Sequence, residues 1–554
     1  MMLSSLILDN FKAFGTRQVI PLAPITLIFG ANSAGKTSIL QALLLLKQTL
    51  AQSENQNIPL LPKGTVVDLG SFRELVFNHD IERVAEIGSL VAPDASTQRI
   101  FEHALATEMG PSRIGAGFCF SFDKSRKSTT VDSINYYWND ESRPAFRLTP
   151  VTPPDDTHRI SNKPLRTAER AQRRFFLRNS SFAGLTEIDG SHAIWKHLFE
   201  SSRPQRERYV KMLGSLVSEL GESDMPYHFY IDRSLGSLVD LDSAPRSRKQ
   251  YLKLVTQAVQ EMRSRFSHYD CDSFLEDVKK ANSSAVFALR NFLPTETAPT
   301  SRALGLPAFT EHYFAAEDPW PNLTALCEQL SLAFKSTLDN LVYLGPLREY
   351  PERHYIFSGT VAREVGKSGK MLPDLLFSTP DLVDETNRWL GEFSVGYSLE
   401  VDRHPDTEDV FALRFIDNRT QTKVSMLDVG FGISQVLPVI VQSMLASRNL
   451  ILIEQPEIHL HPRLQADLGS LFAQSIRRQN QFIVETHSEH LILRLQRLLR
   501  KGEIHASDIS VIYVTKEHYG SQCHVLRLDR DGDFIDEWPE GFFEESYKEM
   551  FVDR

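Results

Sequence analysis

A chain of 554 residues exceeds the usual size of one domain, and its 42% hydrophobic and 24% charged residues are those of a globular protein with room for a large core. No apolar run is long enough to span a bilayer, and the first residues enter a strand pattern directly instead of showing a charged region and an apolar signal core, so a cytoplasmic protein without a membrane partner is expected. The net charge of -10 excludes a uniformly basic nucleic-acid coat, and the four cysteines, Cys119, Cys271, Cys327 and Cys523, stand too far apart for a C-x-x-C pair and make no disulfide framework.

Leu3 to Leu8 predict a short, mostly apolar strand, and Asn10-Phe11-Lys12-Ala13-Phe14 a turn that folds back over the glycine-rich loop beginning at Gly30. Lys12 then stands either beside a bound nucleotide or on the surface of a hairpin. The apolar run Ile25 to Phe29 leads into Gly30-Ala31-Asn32-Ser33-Ala34-Gly35-Lys36-Thr37-Ser38, and the leucine-rich segment Ile39 to Leu45 comes next: strand, phosphate loop, helix. Gly30 and Gly35 let backbone N–H groups curl around a polyphosphate, with Asn32, Ser33, Ala34 and Ser38 in the same cradle, and the helix that begins near Lys36 adds its positive end. Lys36 is expected to bridge the β and γ phosphates of ATP, and Thr37 to ligate Mg2+.

Asp68-Leu69-Gly70-Ser71-Phe72-Arg73 reads as a turn into a possible helix that could sense a γ-phosphate. From Ala85 to Val151 short β-rich runs separated by Asp, Gly, Ser and Pro clusters predict an antiparallel meander. After the Pro-rich link Thr149 to Pro154 the composition turns helical and locally basic, with Arg166, Arg170, Arg173, Arg174 and Arg178 in one segment and Arg203, Arg206, Arg208 and Lys211 in the next. These basic segments are a candidate DNA or RNA contact or a solvated helix face. The helices lack heptads sustained long enough for an extended coiled coil. The resulting division is an N-terminal lobe over 1–154 with phosphate loop and meander, a mainly helical insertion over 155–340, and a C-terminal lobe over 341–554.

Three strand and helix units close the chain. Asp428-Val429-Gly430-Phe431-Gly432-Ile433-Ser434-Gln435 precedes the apolar helix Val436 to Met444 and offers a second anion-binding helix start, here without a lysine, or simply a capped loop. Asn449 to Glu457 is a buried parallel strand that ends in an acid, Glu454, as a ligand to Mg2+-bound water beside a phosphate loop requires. Gln481-Phe482-Ile483-Val484-Glu485-Thr486-His487-Ser488 repeats the design, an apolar strand delivering polar residues to the carboxyl edge where open α/β sheets bind ligands. Asp529-Arg530-Asp531-Gly532-Asp533 lacks the glycine spacing of a calcium loop and is read as a hairpin turn on Asp531-Gly532.

The order of these motifs behind a phosphate loop resembles the ABC-type ATPase heads shared by SMC and RecF proteins and OLD-like ATPases. It is most similar to the bacterial AAA family that carries Ile453-Glu454-Gln455-Pro456-Glu457-Ile458-His459-Leu460-His461-Pro462, Glu485-Thr486-His487-Ser488-Glu489-His490 and Trp538-Pro539-Glu540-Gly541-Phe542-Phe543. The likeness covers roughly residues 1 to 80 and 340 to 545. It implies an α/β fold, an ABC-type, SMC/RecF-like P-loop ATPase head with an antiparallel β meander and an inserted, mainly helical domain. It further implies that Gly30 to Ser38 is the Walker A loop, Gly430 to Gln435 the signature loop that contacts nucleotide through Gly430, Gly432, Ser434 and Gln435, Ile451 to Glu454 the Walker B strand, and His487 the switch histidine. Such heads work in pairs, the signature loop of one closing over the ATP of the other, so a homodimer or larger even assembly is implied.

One position departs from the pattern. The residue after the Walker B acid is usually a glutamate that positions the attacking water, and here it is Gln455. The expectation is slow hydrolysis, with Glu457 as a substitute base, or a clamp gated by ATP. Within this family the chain is similar to the PtuA-type ATPases of Septu and retron anti-phage systems, which partner a separate HNH nuclease; the alternatives are a RecF- or SMC-like DNA-maintenance ATPase and a slow-hydrolysing regulatory scaffold.

Overall fold

The computed structural model describes residues 2–53, 58–104, 111–151, 181–204, 206–208, 211, 253, 257, 260, 264, 269–282, 286–297, 322–445 and 447–541. Arg166, Arg170, Arg173, Arg174 and Arg178, and Phe542 and Phe543 of the C-terminal motif, lie outside the described residues. The chain divides into two compact units, the first joining Met1–Ser53, Leu61–Ser89 and Lys335–Arg554, the second Glu54–Leu60 and Leu90–Phe334.

The first unit begins with the antiparallel pair β1 (Met2–Asp9) and β2 (Gln18–Pro21). Next comes β3 (Ile25–Gly30), buried along its whole length. The helix Lys36–Gln52 succeeds it, and β4 (Ala85–Ala92) lies beside β1 and carries the chain onward.

The second unit is built on six strands, each antiparallel to the next. They are β5 (Ile114–Asp123), β6 (Ser128–Trp138), β7 (Phe146–Pro150), β8 (Phe182–Ile188), β9 (Val286–Arg290) and β10 (Leu293–Thr297). Tyr136 stacks on Phe146 at 4.6 Å, and Phe118 meets Phe292 and Phe334 at 4.7 and 5.1 Å. The meander therefore continues through β8 to β10 into the segment that sequence patterning assigns to a mainly helical insertion. These strands are only five to seven residues long and sit among helix-forming stretches, so their period-2 signal is diluted.

The helices Ala193–Ser201 and Cys271–Asn282 pack together in this unit, and Arg206 explains part of why. Its guanidinium lies 4.6 Å from the ring of Phe199 and 5.4 Å from that of Phe274, donates to Ser202 Oγ and Phe199 O, and is only 6% exposed. Arg203 pairs with Glu207 on the surface. Arg206 is thus an internal bracket and is withdrawn from the candidate nucleic-acid surface. Arg206→Ala is expected to cost about 2 kcal/mol of stability through lost cation–π and packing contacts. A thermal melt checks this, and an unchanged transition would mean the bracket carries no weight.

The chain returns to the first unit with β11 (Leu341–Leu344). β12 (Tyr355–Ile356), β13 (Tyr397–Arg403), β14 (Val410–Asp417) and β15 (Lys423–Ser425) form a small antiparallel sheet. β16 (Leu450–Glu454), β17 (Gln481–Glu485), β18 (Ile509–Glu517) and β19 (Gly520–Leu526) complete a central sheet in the order β11-β16-β17-β3-β18-β19. Its first five strands are parallel and β19 is antiparallel. Burial on both faces accounts for the unbroken apolar runs of β3, β16 and β17. On this sheet Trp538 packs edge-on against Phe29 at 5.4 Å, so the C-terminal motif braces the strand that carries the phosphate loop.

This order, with β17 inserted between the phosphate-loop strand and the acid-bearing β16, is that of an ABC-type P-loop ATPase head with mixed α/β architecture. The sequence-based boundaries at 154 and 340 differ from the compact division, which leaves the first unit at Ser89 and rejoins it at Lys335. Among the described residues no helix is long and apolar enough to cross a membrane. Asp529 Oδ1 accepts the N–H groups of Asp531 and Asp533 at 2.9 Å each, and Gly532 takes φ 79°, so the acidic cluster folds as a turn.

Candidate nucleotide site

The phosphate loop owes its shape to two glycines. Gly30 adopts φ 142°, and a Cβ there would lie 2.3 Å from the carbonyl oxygen of Val514 on β18; Gly35 adopts φ 106°, and its Cβ would meet Ala13 Cβ and Ser521 Oγ at 2.7 Å. Any side chain at either place would force the sheet or the loop to move. The helix Lys36–Gln52 starts directly after Gly35, so its free N–H groups open onto the loop.

A cavity of about 500 Å3 lies over this loop, lined by Lys12, Ala13, Asn32, Ser33, Gly35, Lys36, Thr37, Ser38 and Glu485 together with Glu74 and the segment Val76 to His79. Lys12 takes φ 49°, donates its N–H to Leu75 O, and its ammonium is pushed toward neutrality by burial. Lys12 thus faces the same cavity as the phosphate loop. Sequence reading missed Glu74, Phe77, Asn78 and His79. The clue was Ser71-x-x-Glu74, a capping box that fixes the short helix Phe72–Leu75 beside the cavity.

Lys36 Nζ donates to Gly30 O at 3.0 Å and to Ala31 O at 2.9 Å and stands 3.9 Å from Glu485 Oε1. Burial lowers its pKa, while Glu485 and Glu457 oppose that shift. Thr37 Oγ1 donates to Glu485 Oε2 at 2.8 Å. Glu485 carries a pKa raised by burial and held back by Thr37 and Lys36. Its contact with the loop has no counterpart in the sequence reading, which quotes Glu485 within a motif and gives a role only to His487.

The other polar residues at the carboxyl edge are held more tightly. Glu454 is buried, accepts from Tyr343 OH at 2.7 Å, and sits opposite Glu485 in the register of β16 and β17. Burial raises its pKa, and the Tyr343 bond opposes the rise. Glu457 accepts from His487 N at 2.7 Å and Thr486 Oγ1 at 2.8 Å, so each of its oxygens holds the end of β17. Burial nevertheless raises its pKa. Gln455 takes φ 44° and donates its N–H to Glu485 O, tying the two strand ends together. His487 is disfavoured as a cation by burial and by the charge of Lys36. Arg348, buried beside Glu457 with its pKa lowered to about 10, donates to Glu454 O at 3.4 Å.

The segment that motif likeness assigns to a signature loop lies outside the cavity lining. None of Gly430, Gly432, Ser434 and Gln435 lines the cavity. Gly430 is exposed with open space around it, Gly432 approaches His459 O, and Ser434 and Gln435 are buried, Ser434 Oγ donating to Phe431 O at 2.7 Å. Within one chain the structure unites the phosphate loop, Lys12 and Glu485, with Glu454, Glu457 and His487 on the neighbouring strand ends, and does not bring the signature to them.

The strand order and this phosphate loop are those of an ABC-type P-loop ATPase fold. Residues 1–92 and 380–492 match the family model described as AAA ATPase domain, and residues 504–552 match one described as a protein of unknown function, DUF3696. No curated protein matches the chain. Similar solved structures include the SMC head domain from Thermotoga maritima, at 10% identity over 95% of this chain and 100% of that one with a TM-score of 0.35. Another is the Smc head domain derived from Pyrococcus furiosus, with an extended coiled coil and bound to the C-terminal domain of ScpA, at 12% identity over 99% and 98% with a TM-score of 0.34.

Proposed function

We propose that this chain binds Mg2+ATP, hydrolyses it slowly as paired heads, and in the closed pair controls a separate HNH-type effector nuclease in bacterial anti-phage defence. The observation that carries the nucleotide part is the union of a glycine-built anion cradle, a buried lysine and a threonine hydroxyl paired to a carboxylate in one cavity. The donor set fits the magnesium nucleotide. Thr37 and a strand-end carboxylate would hold Mg2+, and the ion when bound neutralises phosphate charge.

The protein's own groups divide the remaining work. Lys36 can leave the loop carbonyls for the β and γ oxygens, and the glycine N–H groups and the helix start bind the rest of the chain of phosphates. His487, favoured neutral, can accept or donate one hydrogen bond at the γ end, its backbone fixed by Glu457. The signature loop, which does not line its own chain's cavity, would serve the partner head. The motif likeness around Glu454 to Pro462 and Glu485 to His490 supports the defence role. A RecF- or SMC-like grip on DNA is the competing reading, separated from it by whether an HNH nuclease co-purifies.

Gln455 sets the rate in this reading. Its amide can orient a water and cannot accept its proton at neutral pH. Gln455→Glu is expected to speed single-turnover hydrolysis about tenfold. An unchanged rate would show that position 455 does not face the attacking water, and Glu457→Gln then tests the substitute base.

A further inference from the structure

We propose that Glu485, on the strand next to the phosphate loop, is the carboxylate that couples Mg2+ to bound ATP through Thr37, and that Glu454, bonded to Tyr343 and outside the cavity lining, does not take that role. The inference rests on the nucleotide reading above and names a residue of the same site that the Walker pattern leaves unassigned.

Three carboxylates stand at the carboxyl edge of the sheet, and their contacts separate them. Glu485 alone lines the cavity, bonds to Thr37 Oγ1 at 2.8 Å and stands 3.9 Å from Lys36 Nζ. Glu454 lies one strand further from β3, because β17 runs between β16 and β3, and its Oε1 is taken by the hydroxyl of Tyr343 at 2.7 Å. Glu457 spends both oxygens on Thr486 and His487.

The direction of the Thr37 bond sets the chemistry. A hydroxyl that donates its proton to a carboxylate keeps its lone pairs for a hard cation, which takes oxygen ligands and retains waters that need acceptors. Glu485 meets both needs, since one oxygen orients Thr37 and the other is free to accept from a metal-bound water when Lys36 turns to the phosphates. It also adds a negative charge that opposes the triphosphate unless the cation is present. Affinity for ATP should therefore depend on Mg2+ through Glu485.

The test uses the full chain and equilibrium dialysis of ATP in EDTA and in excess Mg2+, with electron paramagnetic resonance of Mn2+ as a direct metal readout. In Glu485→Gln, ATP should bind in EDTA at least as tightly as in wild type, while the tightening by Mg2+ falls about tenfold or more and the Mn2+ spectrum of the ternary complex changes. Glu454→Gln should keep the wild-type tightening. Thr37→Ala should lose the same tightening, and Glu485→Gln should add nothing to it, a result that general misfolding would not give. Glu485→Asp, which keeps the charge, should restore part of the effect and covers the case in which the glutamine variant does not fold. If Glu485→Gln keeps the tightening, or if Glu454→Gln is the variant that loses it, the inference is overturned while the nucleotide reading stands. Wild-type protein that binds no ATP at all would overturn both.

Discussion

Lys36→Ala is expected to weaken ATP binding by at least about 100-fold, roughly 3 kcal/mol. The ammonium is the positive side chain set inside the phosphate loop, 2.9 to 3.0 Å from the carbonyls of Gly30 and Ala31, and it is the group able to track the β and γ phosphates. The fold should survive, because Lys36 itself lines an open cavity, from which water can take the place of its ammonium. Equilibrium binding on mutant protein shown to be folded is the check. Wild-type affinity would defeat the assignment of the loop.

The second large effect concerns pairing. A Gly430→Arg chain should lose nearly all ATPase activity, because an arginine on this exposed loop obstructs the face that would meet a partner's nucleotide. Gly430 has open space around it, so the substitution should leave the core undisturbed, whereas Ser434 is buried and a large residue there would damage the helix Phe431–Leu445. Mixed with Lys36→Ala chains, Gly430→Arg chains should form heteropairs with one site that has both an intact phosphate loop and an intact signature. Activity should then recover in part. A mixture shown to hetero-assemble and yet no more active than either variant alone would rule out the shared site.

What could be seen in the sequence was what is local. A glycine-spaced loop after a buried strand, and apolar runs ending in Glu454 and Glu485, announce themselves within ten residues. The contact between Thr37 and Glu485 spans 448 positions and depends on β17 lying between β3 and β16, an order that no single stretch specifies. The departures have the same origin. Phe182–Ile188 and Val286–Arg290 are strands because neighbouring strands claim them, and Arg206 is buried because three aromatic rings surround it, those of Tyr269 and Phe274 from a distant segment. Charge patterning sees an arginine, not the rings that enclose it. Motif likeness proposes a signature loop at Gly430 to Gln435, yet that these residues do not line the cavity of their own chain becomes visible only in the fold.

This chain is expected to hydrolyse ATP at the cavity lined by Lys36, Thr37 and Glu485. Single-turnover release of phosphate from radiolabelled ATP, measured with excess purified wild-type chain in Mg2+ and compared with Lys36→Ala, tests it most directly. Slow release above the Lys36→Ala background is expected, with an observed rate that rises with protein concentration as heads pair. Release no faster than that background at any protein concentration would contradict the claim.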